Sequence, residues 1–404
     1  MNILFENQRV LLNQFAAIPF YNRDSFQKIT PDNHITGIMG ARGIGKTTLL
    51  LKLASDHGAS EGRALYISAD HIYFLEKNLL DLVEQLYKET EIRFLCIDEI
   101  HKAWRWQQVL KNISDIYLDF KIVFTSSSRI DLVRSQYDLS RRVTLHELGG
   151  LSFREYLAFF YQIFFEPQPL STILNSNFDH QVSEQVPQVL RLFKEYLKRG
   201  YYPFSKKLTN DTDFYQALQQ AAQKALYEDI TSVHSLKTPT LMVLEKLYKY
   251  VLSITPGELS VNKLASVLRK DFNNVSDYLK MLEQSGLIRF LFSEQQGKAM
   301  LRNPIKIFPD NPNLIYSQLM ESSDVAQLGM IRESFSLCHL QNAKVPVAYG
   351  IQGDFAAGEY VLEIGGKNKG TSQIDALEQG RVLKEGVLTG FGRVRPLYLL
   401  GFLY

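Results

Sequence analysis

Cysteine is scarce in this 404-residue chain: only Cys96 and Cys338 occur, far apart and without metal-ligand spacing. That excludes a disulfide framework and a cysteine-held metal, and it fits a reducing cytoplasm. Cys96 falls inside an apolar run and reads as a core filler. No apolar run approaches the roughly 18 residues that a membrane span needs. The first twenty residues carry Glu6 and Arg9 and lack a signal-peptide layout, so a cytoplasmic location is expected. An excess of one charge is also missing: 45 Lys and Arg stand against 43 Asp and Glu, a net of +2. Any nucleic-acid contact must therefore come from a local patch. With 12% aromatic residues, long disordered tracts are excluded as well. A chain this long exceeds one core, so two or three domains are expected.

What is present is organised around Ile35-Thr-Gly-Ile-Met-Gly-Ala-Arg-Gly-Ile-Gly-Lys-Thr-Thr-Leu-Leu50. A short apolar strand runs into a glycine-rich turn and then a helix start. Gly40-x-x-x-x-Gly45-Lys46-Thr47 fits the P-loop pattern. Glycines at 40, 43 and 45 let consecutive N–H groups point inward at a polyphosphate, so Gly40, Ala41, Arg42, Gly43, Ile44, Gly45, Lys46, Thr47 and Thr48 form the expected ATP-binding set. Lys46 places a compact cation at the β/γ-phosphates, and the Thr47 hydroxyl supplies one Mg²⁺ position. The helix starting near Lys46 adds its positive end.

Apolar strands then alternate with helical patterns. Arg63–Asp70 reads as a strand, and a helix follows (Leu79, Leu82, Val83, Leu86, Tyr87). Arg93–His101 is an apolar strand carrying Asp98-Glu99. A further helix (Val109, Leu110, Ile113, Ile116) leads to the strand Lys121–Ser128. This alternation predicts an α/β fold with a helix-covered, mostly parallel sheet, its ligand at the strand C-terminal ends. Asp98 is the second Mg²⁺ residue, and Glu99 is the natural base for an attacking water, which favours hydrolysis over transfer to an alcohol. Ser126, Ser127 and Ser128 sit where a hydroxyl can sense the γ-phosphate; Ser127 stands for them in the catalytic set.

Beyond Leu151 the pattern turns helical to about Lys237, with Gly200-Tyr-Tyr-Pro203 as a breaker. Residues 238–306 read as helix, turn, helix and hairpin, which spells a winged helix. Its helices are Ser260–Leu268 and Val275–Gly286. Its wing is expected from Leu287–Phe292 and Met300–Arg302 around Gln295–Gly297. This window holds ten Lys and Arg against six Asp and Glu, a mild basic excess compatible with double-stranded DNA across 260–302. The helix face Asn273, Asn274, Ser276, Asp277 and Lys280 is polar and only modestly basic, so a protein partner fits equally.

Residues 307–404 hold a second constellation: Glu333 on a helix, Asp354 before an extended run, and Glu363 on the strand Tyr360–Ile364. Two carboxylates and a nearby lysine are how metal-dependent restriction-type nucleases arrange their site. In that pattern the lysine follows the strand glutamate by two residues. Gly365 stands there instead, and Lys367 is the expected substitute, with Gln373 further along. The departure leaves two readings, an active nuclease or a fold kept for binding. The final Pro396–Tyr404 run is expected as a buried strand.

The glycine-rich loop, Leu95–His101, Ile122–Ser128 and the segment Arg142-Val-x-x-x-Glu-Leu-x-x-Leu-Ser-Phe-Arg-Glu-Tyr156 together resemble a group of bacterial and archaeal AAA-type P-loop ATPases. In that group a winged helix and a PD-(D/E)xK nuclease-like domain follow the ATPase. The resemblance implies an AAA-type sheet, ATP with Mg²⁺, and an arginine near the nucleotide. Arg142 matches that arginine, acting on its own subunit or on a neighbour in a homo-oligomer. Gly150 replaces the group's usual proline before Leu-Ser-Phe. The expected architecture is thus an AAA-type ATPase core (1–150), a helical lid or connector (151–237), a winged helix (238–306) and a small α/β restriction-nuclease-like domain (307–404). The expected function is an ATP-driven conformational switch coupled to DNA. Its alternatives are a nucleotide-gated nuclease and a signalling ATPase whose winged helix binds protein.

Overall fold

The computed structural model describes residues 1–17, 20–29, 31, 34–127, 142–234, 236–254, 261–293, 306–319, 327–350 and 352–404. They divide into two compact units: Met1–Gly149 with Tyr227–Ser235, and Gly150–Leu226 with Leu236–Tyr404. The chain therefore comes back to its first unit after an excursion, a return the sequence did not announce.

The first unit is built on five parallel strands: β1 (Ile35–Met39), β2 (Ala64–Ser68), β3 (Phe94–Asp98), β4 (Lys121–Ser126) and β5 (Val143–Glu147). They lie in the order β2-β3-β4-β1-β5. β1 to β4 are short apolar runs buried on both faces, as helix-covered parallel sheets require. β5 was not anticipated, because Val143-Thr-Leu-His-Glu147 is half-polar and lies at the sheet edge. Ile35, Leu95, Ile97, Ile122 and Phe124 centre the core, with Leu82, Val83, Leu86, Leu110 and Ile113 packed from the helices Leu79–Glu89 and Trp106–Ile116. At the opposite edge the first helix, Asn2–Ala16, covers β2. Its buried Gln8 accepts from the Tyr66 N–H at 2.5 Å, so the edge strand's polar backbone is not left bare.

The second unit begins with helices Phe153–Tyr161, Leu170–Asn175, Phe178–Gln185, Val189–Arg199 and Asp211–Lys224. Ser152 and Glu155 form a reciprocal capping box at the first of these. Helices Thr238–Ser253, Val261–Leu268 and Phe272–Gln284 follow. Next comes an antiparallel pair, β6 (Ile288–Leu291) with β7 (Lys306–Pro309). The expected wing turn Gln295–Gly297 and strand Met300–Arg302 lie outside the described residues, and the observed second strand starts only at Lys306.

A mixed sheet completes the unit: β8 (Val347–Ala348), β9 (Phe355–Ala357), β10 (Tyr360–Gly365), β11 (Gly380–Lys384) and β12 (Val394–Pro396), in the order β12-β11-β10-β9-β8. Helix Leu328–Asn342 packs on it. The apolar tail is buried as expected, but not as a strand: Leu397–Phe402 is a 3₁₀ helix with every residue buried. An all-apolar run has no periodicity to separate the two. Gly401 shows why this conformation is held, since a Cβ there would stand 2.3 Å from Phe153 Cβ.

Candidate functional site

The glycine-rich turn leaves β1, next to the C-terminal ends of β3 and β4. Gly43 (φ 82°) and Gly45 (φ 103°) adopt left-handed conformations that favour glycine. Gly40 is demanded by space: a Cβ there would meet the Leu148 carbonyl oxygen at 2.4 Å and Ile44 Cδ1 at 2.3 Å. Helix Lys46–Asp56 then starts with no side chain capping it, so its N-terminus can serve an anion. Lys46 is buried and donates to the carbonyls of Gly40 (2.8 Å) and Ala41 (3.0 Å). Burial holds its ammonium below the ordinary lysine value, against the pull of Glu99, Asp98 and Asp229. Thr48 follows on the exposed side of the first helical turn.

Asp98 ends β3 with both oxygens engaged. Oδ2 accepts from Thr47 Oγ1 at 2.6 Å and from the Tyr66 hydroxyl at 3.1 Å, and Oδ1 accepts from Thr125 Oγ1. A hydroxyl and a carboxylate joined beside a phosphate-binding turn are an oxygen donor set suited to Mg²⁺. Glu99 has φ 53°, a left-handed conformation that is strained for a side-chain-bearing residue. Its N–H donates to Thr125 Oγ1 at 3.1 Å, and its Oε1 accepts from Ser127 Oγ at 2.8 Å. His101 Nε2 lies 3.3 Å from Glu99 Oε2, with the imidazole fully enclosed. Burial keeps its pKa below the ordinary value, opposed by Glu99 and Asp229, so the ring is neutral near pH 7.

Arg42, inside the glycine-rich turn, forms a two-pronged ion pair with Asp229 on the returning segment. Nε lies 3.0 Å from Oδ2 and Nη2 2.5 Å from Oδ1. Glu228 stands 3.5 Å and Glu99 Oε2 3.9 Å from the same Nη2. Ligating atoms of Glu99, His101 and Asp229 come within 4.8 Å of one another, but the Arg42 guanidinium already occupies the Asp229 carboxylate and lies 3.9 Å from Glu99.

Arg142 is not at this site in its own chain. It precedes Val143, which pairs with Ile35 at the start of β1, whereas the glycine-rich turn follows the end of β1. The parallel register thus puts Arg142 at the opposite end of the sheet, where it pairs with Asp115 at 2.9 Å. Ser126 Oγ lies 3.4 Å from His101 Nδ1, and Ser128 falls outside the described residues.

In the second unit Glu333, Asp354 and Glu363 come from helix Leu328–Asn342, the turn before β9, and β10. Asp354 Oδ2 accepts the Ile364 N–H at 2.9 Å. Lys306 Nζ lies 3.3 Å from Glu333 Oε2 and 3.9 Å from Asp354 Oδ1, above the Tyr349 ring at 5.0 Å. Burial, aided by Asp354 and Glu363 and opposed by Lys306, pushes the Glu333 carboxyl up to about 7. The lysine on Glu363 is Lys369, not the expected Lys367, which is exposed. Gly365 explains the exchange: a Cβ there would stand 2.5 Å from Lys369 Cβ and Cγ, so the missing side chain leaves room for Lys369 to fold back. Gln373 is exposed.

Sequence reasoning missed His101, Thr125, Asp229 and Lys306, and within the run Gly365–Lys369 it chose Lys367 over Lys369. His101 lies two residues from a named candidate, so a wider window would have caught it. Asp229 and Lys306 carry no local signal, because only folding brings them to Arg42 and Glu333.

Comparison with known proteins is consistent with this geometry. Residues 32–157 match the AAA domain family, and residues 190–319 match a family described only as a domain of unknown function, DUF8612. An uncharacterized protein of Methanocaldococcus jannaschii, MJ1637, is 30% identical over 293 residues, covering 67% of this chain; the chain spans 60% of that protein's length. Among solved structures, AMPPCP-bound DnaA from Aquifex aeolicus aligns at 16% identity over 65% of this chain and 89% of its own, TM-score 0.27. The S. cerevisiae Hsp104–ADP complex aligns at 17% identity over 66% and 39%, TM-score 0.31. The family match and the glycine-rich turn on a five-stranded parallel sheet agree: residues 32–157 are a P-loop domain of the AAA type.

Proposed function

We propose that the first unit binds and hydrolyses ATP with Mg²⁺ and that nucleotide state drives a conformational switch. The observation that carries the reading is the Thr47–Asp98 contact of 2.6 Å beside a buried Lys46 and a strained Glu99. Inward backbone amides and the uncapped helix start cradle the phosphates, and Lys46 exchanges two loop carbonyls for phosphate oxygens. Thr47 and Asp98 would hold Mg²⁺, which would supply neutralisation of the phosphate charge. Glu99, oriented by the Ser127 hydroxyl, accepts the proton of the attacking water. Glu99→Gln should keep ATP binding while turnover falls by roughly 10²–10⁴-fold. Unchanged turnover in a single-turnover assay would remove Glu99 from this role.

The switch acts through the second unit, read as a helical lid or connector, a winged helix and a nuclease-like domain. Asn273, Asn274, Asp277 and Lys280 form an exposed face, which supports docking of duplex DNA or of a protein. Among the described cations of this window, Arg289 and Lys306 are largely buried in ion pairs, with Asp310 at 2.9 Å and with Glu333 at 3.3 Å, and Lys249 and Lys280 pair with Glu245 and Asp277. That weakens the DNA reading and strengthens the protein one. Arg142, at the far end of its own sheet, is left for a neighbouring subunit in a homo-oligomer.

A second reading, the nucleotide-gated nuclease, is favoured by one observation, Lys369 seated on the buried Glu363. Mn²⁺-dependent cleavage of DNA or RNA that vanishes in Glu363→Ala would establish it. Absence of cleavage under saturating ATP would leave the domain a binding or assembly module.

A further inference from the structure

The Arg42–Asp229 pair joins two parts of the chain with different fates. Arg42 belongs to the glycine-rich turn, whereas Asp229 sits on Tyr227–Ser235, the stretch that returns to the first unit and leads at both ends into the second. Asp229 is the last residue of a π-helical turn, Ala225–Asp229, and precedes the single turn Ile230–Val233. Its side chain is 1% exposed, and its partner is a fork-shaped cation. A carboxylate so placed is costly to leave without its counter-charge, so it cannot stay where it is if Arg42 leaves. Arg42 also reaches toward the chemistry: Nη2 stands 3.9 Å from Glu99 Oε2, the corner where a water attacking the terminal phosphate must be held.

We propose that Arg42 reads the terminal phosphate of ATP in its own subunit, and that it does so by exchanging Asp229 for that phosphate, which releases Tyr227–Ser235. This rests on the ATP reading above and adds its regulation. Both anions offer the same two-oxygen face to the guanidinium, but the phosphate carries more charge. Glu228, 3.5 Å away, loses its nearest cation in the same step. ADP, which lacks the terminal group, leaves Arg42 on Asp229 and the segment docked. Coupling of this kind is reciprocal. If the terminal phosphate loosens the segment, then removing the Asp229 charge must tighten ATP over ADP by the same factor.

The test uses the full chain with Mg²⁺ and either ATPγS or ADP, both saturating as judged by titration with a fluorescent ATP analogue. Hydrogen exchange of amides 227–234 should be faster with ATPγS than with ADP by roughly fivefold or more. In Asp229→Asn, isosteric and uncharged, exchange should be fast with either nucleotide, and ATPγS affinity should rise by the same factor while ADP affinity holds. In Arg42→Ala the difference between nucleotides should disappear although both still bind. Equal exchange in the wild type with both nucleotides bound overturns the inference alone. So does an Asp229→Asn variant that weakens both nucleotides alike. If no nucleotide binds the wild type, the ATP reading falls and takes this inference with it.

Discussion

The nucleotide-binding end of the first sheet and the acidic cluster of the second are both built from carboxylates and lysines near strand ends, yet they partner their charges differently. At the first, Lys46 rests on two backbone carbonyls, and the oxygens of Asp98 rest on hydroxyls. Around Lys46 and Asp98 neutral dipoles hold both signs apart, so a phosphate or cation arriving at these two groups replaces dipoles rather than a full charge; Arg42, paired with Asp229, is the exception. At the second, lysine meets carboxylate directly: Lys306 at Glu333 and Asp354, Lys369 at Glu363. A ligand there must compete with an ammonium already in place. The first arrangement is poised for exchange, and the second is largely self-neutralised.

The comparison breaks most sharply at Gly40. Gly40→Ala should push the turn off the Leu148 carbonyl and cut ATP affinity by roughly a hundredfold or more, about 3 kcal/mol, in a fluorescent-nucleotide titration. A fold check by circular dichroism separates this from unfolding.

At the second cluster Lys369→Ala should destabilise the protein by about 3 kcal/mol in urea unfolding, because it strands the buried Glu363 carboxylate. Lys367→Ala should be silent within about 0.5 kcal/mol, being an exposed side chain.

Glu333 sharpens the contrast through pH. Its folded value, about 7, lies above the ordinary 4.5. The folded state therefore binds the proton more tightly, and this contribution is complete below pH 4.5 and lost as pH rises through 7. Wild type should lose on the order of 3 kcal/mol relative to Glu333→Gln between pH 4.5 and 8, read from urea midpoints at each pH. A parallel pH dependence in the two proteins would show that Glu333 titrates normally.

The smallest effect is expected at the helix Phe272–Gln284. Lys280→Ala should lower the salt slope of any duplex-DNA binding by about one. Failure to bind mixed-sequence duplex at low salt, with and without ATP, would favour the protein partner.

How much of this was legible beforehand depended on range in sequence. The turn 40–47, the pair Asp98-Glu99 and four of the five parallel strands were legible because residue spacing within a dozen positions specifies them. β5 hid because an edge strand with Thr144, His146 and Glu147 lacks the apolar signature of its neighbours. Arg142 was placed by resemblance, and register moved it to the other end of the sheet. Lys369 displaced Lys367 for a steric reason, the vacancy over Gly365, that no lysine count reveals. Asp229 was out of reach entirely, because its role exists only once the chain has doubled back.

The central claim is that one buried ammonium, held on exchangeable carbonyls, anchors the triphosphate. The direct measurement is equilibrium titration of Lys46→Ala with Mg²⁺-ATP beside the wild type. The account predicts affinity lower by roughly a hundredfold or more with the fold intact. Equal affinity in the two proteins would contradict it.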